Sequence, residues 1–330
     1  MKLTYYAACA LATGLFAASC SSSDDVASEI STDPNTITAK VVFTAKPSKN
    51  SRVAIGGQVD ATNKFVNGTF VWSKTDKIRL YAPYADVSDI KRKINNLNID
   101  NTSISGTNAS FTTNGANVAI GKDTYLILAQ NYNRNIDSST NKDIPGVSID
   151  TTDPDLLNFT CESGVKAILG SDSTPIDFFS GSIFTEFVKI PGEQVKWDSS
   201  TGSVNLSGTF KVLTPVLCFQ LPEGTTASSL TFNHLEWSGA TYNMSTGEWS
   251  SNHNYVDKTI NITVVTAGIE RNRIVYIPVL PGSINDEASI SCDGYTCSLK
   301  GLKSQLSEDN NIIFLGVLGK SSHWVKDSSK

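Results

Sequence analysis

The sequence has few of the residues on which enzymes and metal proteins most often depend. Of its 330 residues three are His and six are Cys, and charged residues make up 18%, against about 25% in an average soluble domain. This leaves little material for a metal centre or a catalytic nucleophile. The formal net charge is −5, and because there is no basic patch we expect no nucleic acid partner.

Recognisable catalytic motifs are missing as well. The sequence contains no Gly-x-Ser-x-Gly elbow, no His-Glu-x-x-His and no phosphate-binding glycine loop. Its three histidines, His234, His253 and His323, are isolated along the chain. Acidic residues are scattered, so a glycosidase-type carboxylate pair brought together by folding stays open. We predict that the protein is not an enzyme and has no catalytic residues, no cofactor and no bound metal.

Polar, uncharged residues are abundant instead. Ser, Thr and Asn account for 99 of the 330 residues, and the hydrophobic fraction of 39% is enough for sizeable cores. Short apolar runs rich in Val, Ile, Thr and aromatic residues alternate with Asn-Gly, Asp-Gly, Pro-Gly and Thr-Gly turns. This pattern predicts an all-β fold built from β-sandwiches.

The apolar runs give the positions of the expected strands. We predict strands at 37–45, 68–72, 77–82, 124–129, 203–213, 216–221, 229–237, 260–265, 273–280 and 311–318. Helical periodicity is weak, and the two short candidates are 86–97 and 155–169. The length of the chain favours two domains, and a change of composition at 191–203 is a plausible boundary between them.

The first twenty residues are typical of an export signal. Lys2 is followed by an apolar run over 5–18, which is too short to span a bilayer comfortably. The run ends in Ala-Ala-Ser-Cys, which resembles a bacterial lipobox. This resemblance implies cleavage between Ser19 and Cys20 and acylation of Cys20, with palmitate among the acyl chains. The alternative is an ordinary secretory signal that happens to precede a Cys.

The residues after Cys20 and the later apolar runs bear on the location of the protein. The stretch 21–25, Ser-Ser-Ser-Asp-Asp, resembles the surface-export signal of Bacteroidetes lipoproteins, and a solvated tether is the alternative. No later apolar run approaches the roughly 20 residues of a membrane span. We therefore expect a lipoprotein of the cell outer membrane, exposed at the surface and delivered by the lipoprotein export machinery.

Two cysteines lie close enough in sequence to bond. In SCDGYTCS (291–298), a two-residue turn at Gly294-Tyr295 would place Cys292 opposite Cys297, at the spacing that a disulfide needs. A turn at Asp293-Gly294 would break this register. The remaining pair, Cys161 and Cys218, is interpreted as buried apolar residues whose pairing stays open.

One aromatic-rich stretch has two interpretations. Residues 234–255 carry Trp237, Tyr242 and Trp249 among Asn and His residues. Aromatic faces stack on sugar rings, so these three residues are candidate glycan contacts, with host or bacterial surface glycans as partners. The alternative is a hairpin that turns at 245–247 and keeps its aromatic residues in the core or in cross-strand pairs.

The order of several segments resembles the fimbrillin family of Bacteroidetes. The family's "W…GD-x-I-x-V" segment is matched by GTFVWSKTDKIRLYAP, in which Thr75 stands where Gly is usual. The other similar segments, in chain order, are KVVFTAK (40–46), KNSRVAIGG (49–57), PIDFFSG (175–181), GTFKVLTPVLCFQLPEG (208–224) and IVYIPVLPGSI (274–284).

This resemblance implies a subunit of a type V pilus that supports adhesion, with two transthyretin-like β-sandwich domains in tandem. Its partners would be other fimbrial subunits and an Arg-specific protease that cuts between Arg52 and Val53. The processed subunit would lie in an extracellular fimbrium. The implied divisions are a signal peptide at 1–19, a propeptide at 20–52, and two domains at 53–200 and 201–330.

In the family, the cut releases the first strand and a neighbouring subunit fills the groove with a donor strand. The strand 36–45 fits this role, because its apolar residues at alternate positions would face inward: Ile37, Ala39, Val41, Phe43 and Ala45. Thr38, Lys40 and Thr44 would face outward, and Val42 is the one apolar residue at an outward position. The expected donor is 311–325, with Ile312, Phe314 and Leu318 inward. A permanent strand at 36–45, an uncleaved tip adhesin and a surface glycan-binding lipoprotein are the alternatives.

Overall fold

Strands dominate the part of the chain that can be described. The structure is a computed structural model and describes residues 35–46, 58–59, 65–66, 72, 77–100, 104, 108–129, 147–150, 152–160, 167–170, 183–235, 239–251, 258–266, 273–306 and 312–327. Within these ranges the regular structure consists of 24 strands, one four-residue α-helix and short 3-10 turns. The predicted all-β fold class is confirmed.

The first of two nine-stranded sheets contains most strands from the first half of the chain. Its strands, numbered in chain order and given in spatial order, are β12 (Trp197–Asp198), β13 (Ser203–Gly208), β1 (Thr36–Ala45), β6 (Ala109–Ala119), β5 (Ile94–Ile99), β4 (Lys77–Tyr81), β7 (Thr124–Ala129), β11 (Thr185–Ile190) and β14 (Lys211–Val212).

The second nine-stranded sheet contains the C-terminal strands. In spatial order they are β23 (Ile312–Val317), β15 (Val216–Gln220), β20 (Ile274–Pro278), β10 (Ala167–Gly170), β19 (Lys258–Thr266), β16 (Ser229–Leu235), β21 (Ile284–Cys292), β22 (Tyr295–Ser298) and β24 (Trp324–Lys326).

Two smaller sheets complete the fold. A four-stranded sheet has the order β18 (Trp249–Ser251), β17 (Gly239–Asn243), β9 (Leu156–Thr160) and β8 (Val147–Ile149), and a two-stranded sheet joins β2 (Gln58–Val59) to β3 (Phe65–Val66). The described residues, all within 31–330, form one compact unit. The division of the chain at position 200 stays a prediction, and strand pairs cross that position: β1 with β13, β11 with β14 and β9 with β17.

The core lies on both sides of the central strands of the first sheet. On one side Leu80, Leu126 and Val188 pack with Val216 and other residues of the second sheet. On the opposite side Tyr81, Tyr125 and Phe187 join a second cluster, which includes the four-stranded sheet. Strands β4, β7 and β11 are therefore covered on both faces, which agrees with the nearly continuous apolar sequence of β7 and with the burial of Arg79 in β4 and Glu186 in β11.

Both predicted helices are wrong over most of their length. Within 86–97 only Ile90–Lys93 (α1) is helical, and β5 follows directly. In β5, Leu97 and Ile99 are buried while Asn96 and Asn98 are exposed, which is the period of a strand. The second candidate, 155–169, contains β9 and β10. Asn is a poor helix former, and pairing with neighbouring strands decides the structure of such short segments.

A carboxylate links the first sheet to the four-stranded sheet. Asp155, next to β9, accepts hydrogen bonds from the hydroxyls of Tyr84 at 2.6 Å and Tyr125 at 2.8 Å. Burial, assisted by these bonds to Asp155, raises the pKa of both tyrosines, so both hydroxyls stay protonated and donate. Hydrogen bonds to an ionised acceptor are about twice as strong as neutral ones.

Replacing Asp155 by Ala is expected to lower the free energy of unfolding by about 2 kcal/mol, because Tyr125 is fully buried and loses its charged acceptor. Urea denaturation measures the effect. The matched control is Tyr84→Phe, which removes the bond of the more exposed tyrosine and should cost less than half as much. Equal losses in the two variants would contradict the role given to Tyr125.

Candidate functional site: strand β1 and its slot

Strand β1 lies in the interior of the first sheet. It pairs antiparallel with β6 and parallel with β13, so that Phe43 is opposite Phe111 on one side and Leu206 on the other. The prediction of a strand at 37–45 is confirmed, and β1 begins one residue earlier, at Thr36. Because it has a neighbour on each side, removal of β1 would leave two unpaired strand edges facing one slot.

The two faces of β1 alternate as predicted. Ala39, Val41, Phe43 and Ala45 are at most 5% exposed. Thr38, Lys40 and Thr44 are exposed, whereas Ile37 and the predicted exception Val42 are half buried. The ring of Phe43 meets that of Phe210 edge to face, with centroids 5.7 Å apart. One face of β1 thus contributes to the core, as a plug in a sheet must.

Hydrogen bonds fix both ends of β1. At the start, the Asn35 carbonyl accepts from the Ile120 N–H and the Thr36 hydroxyl accepts from the Asp86 N–H, both at 2.8 Å. At the end, the Lys46 N–H donates to the Gly208 carbonyl at 2.8 Å. The strand is therefore in a defined register. Arg52 lies six residues after Lys46 in the sequence.

The C-terminal segment occupies two edges of the second sheet. Strands β23 and β24 are its terminal strands, paired with β15 and β22 respectively. Trp324 is 5% exposed, packs on Phe219 with ring centroids 4.8 Å apart, and donates from Nε1 to the Leu315 carbonyl. The candidate donor strand is thus folded onto its own sheet.

The predicted inward residues of this segment need a partial correction. In β23, Ile313, Leu315 and Val317 are buried, whereas Ile312 and Phe314 are half buried. Leu318 is buried, as expected. Gly316 has a φ of +85°, and the pairing of β23 with β15 is irregular beside it. A bulge of this kind interrupts the alternation that the sequence suggests.

The aromatic-rich stretch forms the hairpin. Tyr242 in β17 lies directly opposite Trp249 in β18, and Gly247 in the connecting turn has a φ of +80°. Tyr242 is fully buried, with the Trp249 ring 5.1 Å and the Lys211 Nζ 5.2 Å from its ring centre. The prediction that Tyr242 stacks on a sugar ring is therefore wrong, because both faces of its ring are covered. Trp249 is half buried against the same core.

The predicted Cys292–Cys297 disulfide is also wrong. The turn falls at Asp293-Gly294, both with positive φ, as in a type I′ hairpin. Cys292 is then opposite Tyr295 and Cys297 opposite Ile290, so the two cysteines are diagonal neighbours, beyond disulfide spacing. Both are free and buried.

Burial suppresses the reactivity of these thiols. It raises the pKa of Cys292 and of Cys297 to about 11, with the charge of Asp293 adding to the effect at Cys292. Both thiols are therefore protonated at neutral pH, whereas nucleophiles and metal ligands are thiolates. Cys218 is free and buried, as predicted, and burial also raises its pKa.

Several predicted site residues lie outside the described ranges. They are Ser19, Cys20, Arg52, Val53, Cys161 and Trp237. In the described ranges, no three His, Cys, Asp or Glu residues are grouped to hold a metal ion. No helix of that same part of the chain is long and apolar enough to cross a membrane.

A cavity of about 550 Å³ lies beside the end of β1, and no pattern in the sequence indicates it. Its lining comes from segments between positions 46 and 247, among them Lys46, Lys189 and Lys211. Lysines so far apart in sequence carry no common pattern, so only their spatial arrangement identifies the site.

Sequence comparison finds no matching protein family and no matching curated protein. Solved structures with a partial likeness include a candidate cell adhesion protein from Bacteroides uniformis, at 14% identity, with a TM-score of 0.40 and coverage of 88% of this chain and 96% of that one. A fimbrial protein from Bacteroides vulgatus shares 9% identity at a TM-score of 0.31, covering 68% and 77%.

The tip fimbrial protein Mfa3 from Porphyromonas gingivalis, truncated at its C-terminus, shares 8% identity at a TM-score of 0.31, covering 73% of this chain and 69% of that one. Of these three solved structures, one is thus a candidate cell adhesion protein and two are fimbrial proteins.

Proposed function

We propose that the chain is a structural subunit of a surface fimbria, assembled by strand addition into the slot that β1 occupies, and supporting adhesion. The observation that carries the proposal is the position of β1, paired on both sides and buried on one face, shortly before Arg52. In this proposal the chain is exported as a lipoprotein acylated at Cys20, and an Arg-specific protease cuts between Arg52 and Val53.

Cleavage would change how β1 is held without changing its contacts. In the intact chain β1 is tethered to its slot, and a tether holds a segment at an effective concentration on the order of millimolar. After a cut at Arg52 the strand would belong to a separate peptide and compete with other strands. The emptied slot would expose the apolar floor and the unpaired groups of β6 and β13, which favours capture of a replacement.

The terminal position of β23 makes it a suitable donor. It pairs with β15 alone among the described strands, whereas a strand in the β1 slot would pair with both β6 and β13. If β23 left β15 and entered the β1 slot of a neighbouring subunit, it would therefore replace one ladder of backbone hydrogen bonds by two. Its alternate residues Ile313 and Leu315 would supply the apolar face that the slot requires.

Two transthyretin-like sandwiches in tandem remain part of the proposal. Their division at position 200 stays part of this proposal, although β13 and β14 pair in the first sheet after that position and β10 pairs in the second sheet before it. An uncleaved glycan-binding lipoprotein or tip adhesin is the second candidate, and the lysine-lined cavity described below favours it.

Treatment of the full chain with an Arg-specific protease is expected to yield a new N-terminus at Val53 and polymers that appear as ladders in unheated SDS gels. The matched control is Arg52→Lys, which keeps the charge but not the recognition by the protease. A synthetic peptide of residues 36–46 should refill the slot and block the ladders, and the same peptide with Asp at positions 41 and 43 should not. Ladders from the Arg52→Lys chain, or block by both peptides, would contradict the proposal.

A further inference from the structure

The cavity beside the end of β1 has an unusual charge for an acidic protein. With a volume of about 550 Å³ it lies within the size range of small-molecule sites. Three of its lining residues are lysines, Lys46, Lys189 and Lys211, and the described lining contains no carboxylate. Because the chain has a formal net charge of −5, a concentration of positive charge here points to an anionic ligand.

Each lysine is held differently. The Lys189 Nζ lies 2.9 Å from the Asp123 carboxylate and donates to the Ser245 carbonyl at 2.9 Å. The Lys211 Nζ lies over the Tyr242 ring, next to the 245–247 turn. Lys46 is exposed, just beyond the last residue of β1. The Asp123 carboxylate thus offsets the charge of Lys189.

The rest of the lining is rich in hydroxyl and amide groups. Side chains of this kind are contributed by Gln194, Ser207, Thr209, Ser245 and Thr246. Such groups hydrogen-bond to a ligand that itself carries several hydroxyls, and the ammonium groups pair with a carboxylate. A saccharide bearing a carboxylate matches both parts of this lining, through its ring hydroxyls and its charge, and an acidic peptide is the alternative ligand that the experiment must exclude.

We propose that this cavity is a binding site for an anionic sugar, recognised by its carboxylate through Lys46, Lys189 and Lys211 and by its hydroxyls through the polar lining. The site does not depend on stacking against an aromatic ring, since Tyr242 is covered. It goes beyond the fimbrial proposal, because it needs neither cleavage nor polymerisation. Lys46 precedes Arg52, so a chain cut there would lose one of the three charges together with β1.

The test uses the full chain with the Arg52→Lys substitution, which keeps Lys46 in place whatever the fate of the fimbrial proposal. Isothermal titration compares methyl β-D-glucuronide with methyl β-D-glucoside, which share the ring and differ in the carboxylate. We expect the glucuronide to bind at least about tenfold more tightly, the effect of one charge-assisted hydrogen bond. Its binding should weaken at high salt.

Lys46→Gln and Lys211→Gln are each expected to weaken the binding of the glucuronide about threefold or more. Lys46 is exposed, so its replacement does not endanger folding. Lys196→Gln, at another exposed lysine outside the cavity, is the matched control and should leave the affinity unchanged. Equal affinity for the two glycosides, no saturable binding of either, or binding of a short glutamate peptide in place of the glucuronide would overturn the proposal.

Discussion

Replacement of Phe43 by Ala is expected to lower the free energy of unfolding by about 3–5 kcal/mol, the range for removing a buried aromatic ring. Phe43 is fully buried in the middle of β1, and its ring packs against Phe210. Trp72 packs on Phe111 and Phe210 in the same cluster, so the lost ring leaves a cavity bounded by other rings. Denaturation in guanidinium chloride, followed by Trp fluorescence, measures the change.

Thr44→Ala is the matched control for this variant. Thr44 is the next residue of β1 and is exposed, so its replacement should change stability by less than about 0.5 kcal/mol. The pair separates loss of packing from loss of strand propensity, because both substitutions place Ala in the same strand. A cost at Phe43 no larger than that at Thr44 would show that β1 is not part of the core.

Phe43→Ala is also expected to change the rate of assembly. A weakened plug should leave its slot more readily, so cleaved Phe43→Ala should form ladders sooner than cleaved wild-type chain. Uncleaved Phe43→Ala should remain monomeric, because its strand is still tethered. If the cleaved variant assembled more slowly, release of β1 would not be the step that limits assembly.

Local patterns were sufficient to predict β1 and nine other strands, but not long strands such as β6 and β21. In β1 the alternation from Ile37 to Ala45 is long enough to fix both the strand and its inner face. The parallel neighbour β13 follows about 160 residues later, and no feature of either strand indicates that pairing. Such long-range pairing depends on the whole chain, which is why the partners of β1 had to be seen in the structure.

The wrong predictions have two different causes, one in a turn and one in strand pairing. The turn between Cys292 and Cys297 has two registers that differ by one residue, and the conformational freedom of Asp293 and Gly294 selected the one without a disulfide. The predicted helices failed because the strand neighbours of β5 and β9 outweigh the weak helical period.

Gly192→Ala is expected to lower the free energy of unfolding by about 3 kcal/mol, the upper part of the usual range for overpacking. A Cβ at Gly192 would clash with the Gly121 carbonyl oxygen and lie 2.7 Å from its carbon and 3.0 Å from the Lys122 nitrogen. These are backbone atoms of the turn after β6, so no side-chain rotation relieves the contact. Thermal or guanidinium unfolding measures the loss.

Hydrogen bonds around Gly192 allow the turn little room to move. The Gly192 N–H donates to Asp123 Oδ1 at 2.8 Å, and the Gly121 N–H donates to the Val195 carbonyl at 3.0 Å. Gly115→Ala in β6 is the matched control, since its Cβ would meet nothing within 4 Å, and it should be neutral or stabilising by up to about 1 kcal/mol. Because Asp123 also pairs with Lys189, Gly192→Ala should weaken glucuronide binding as well. Equal free energies of unfolding for Gly192→Ala and Gly115→Ala would contradict the close approach of Gly192 to the turn after β6.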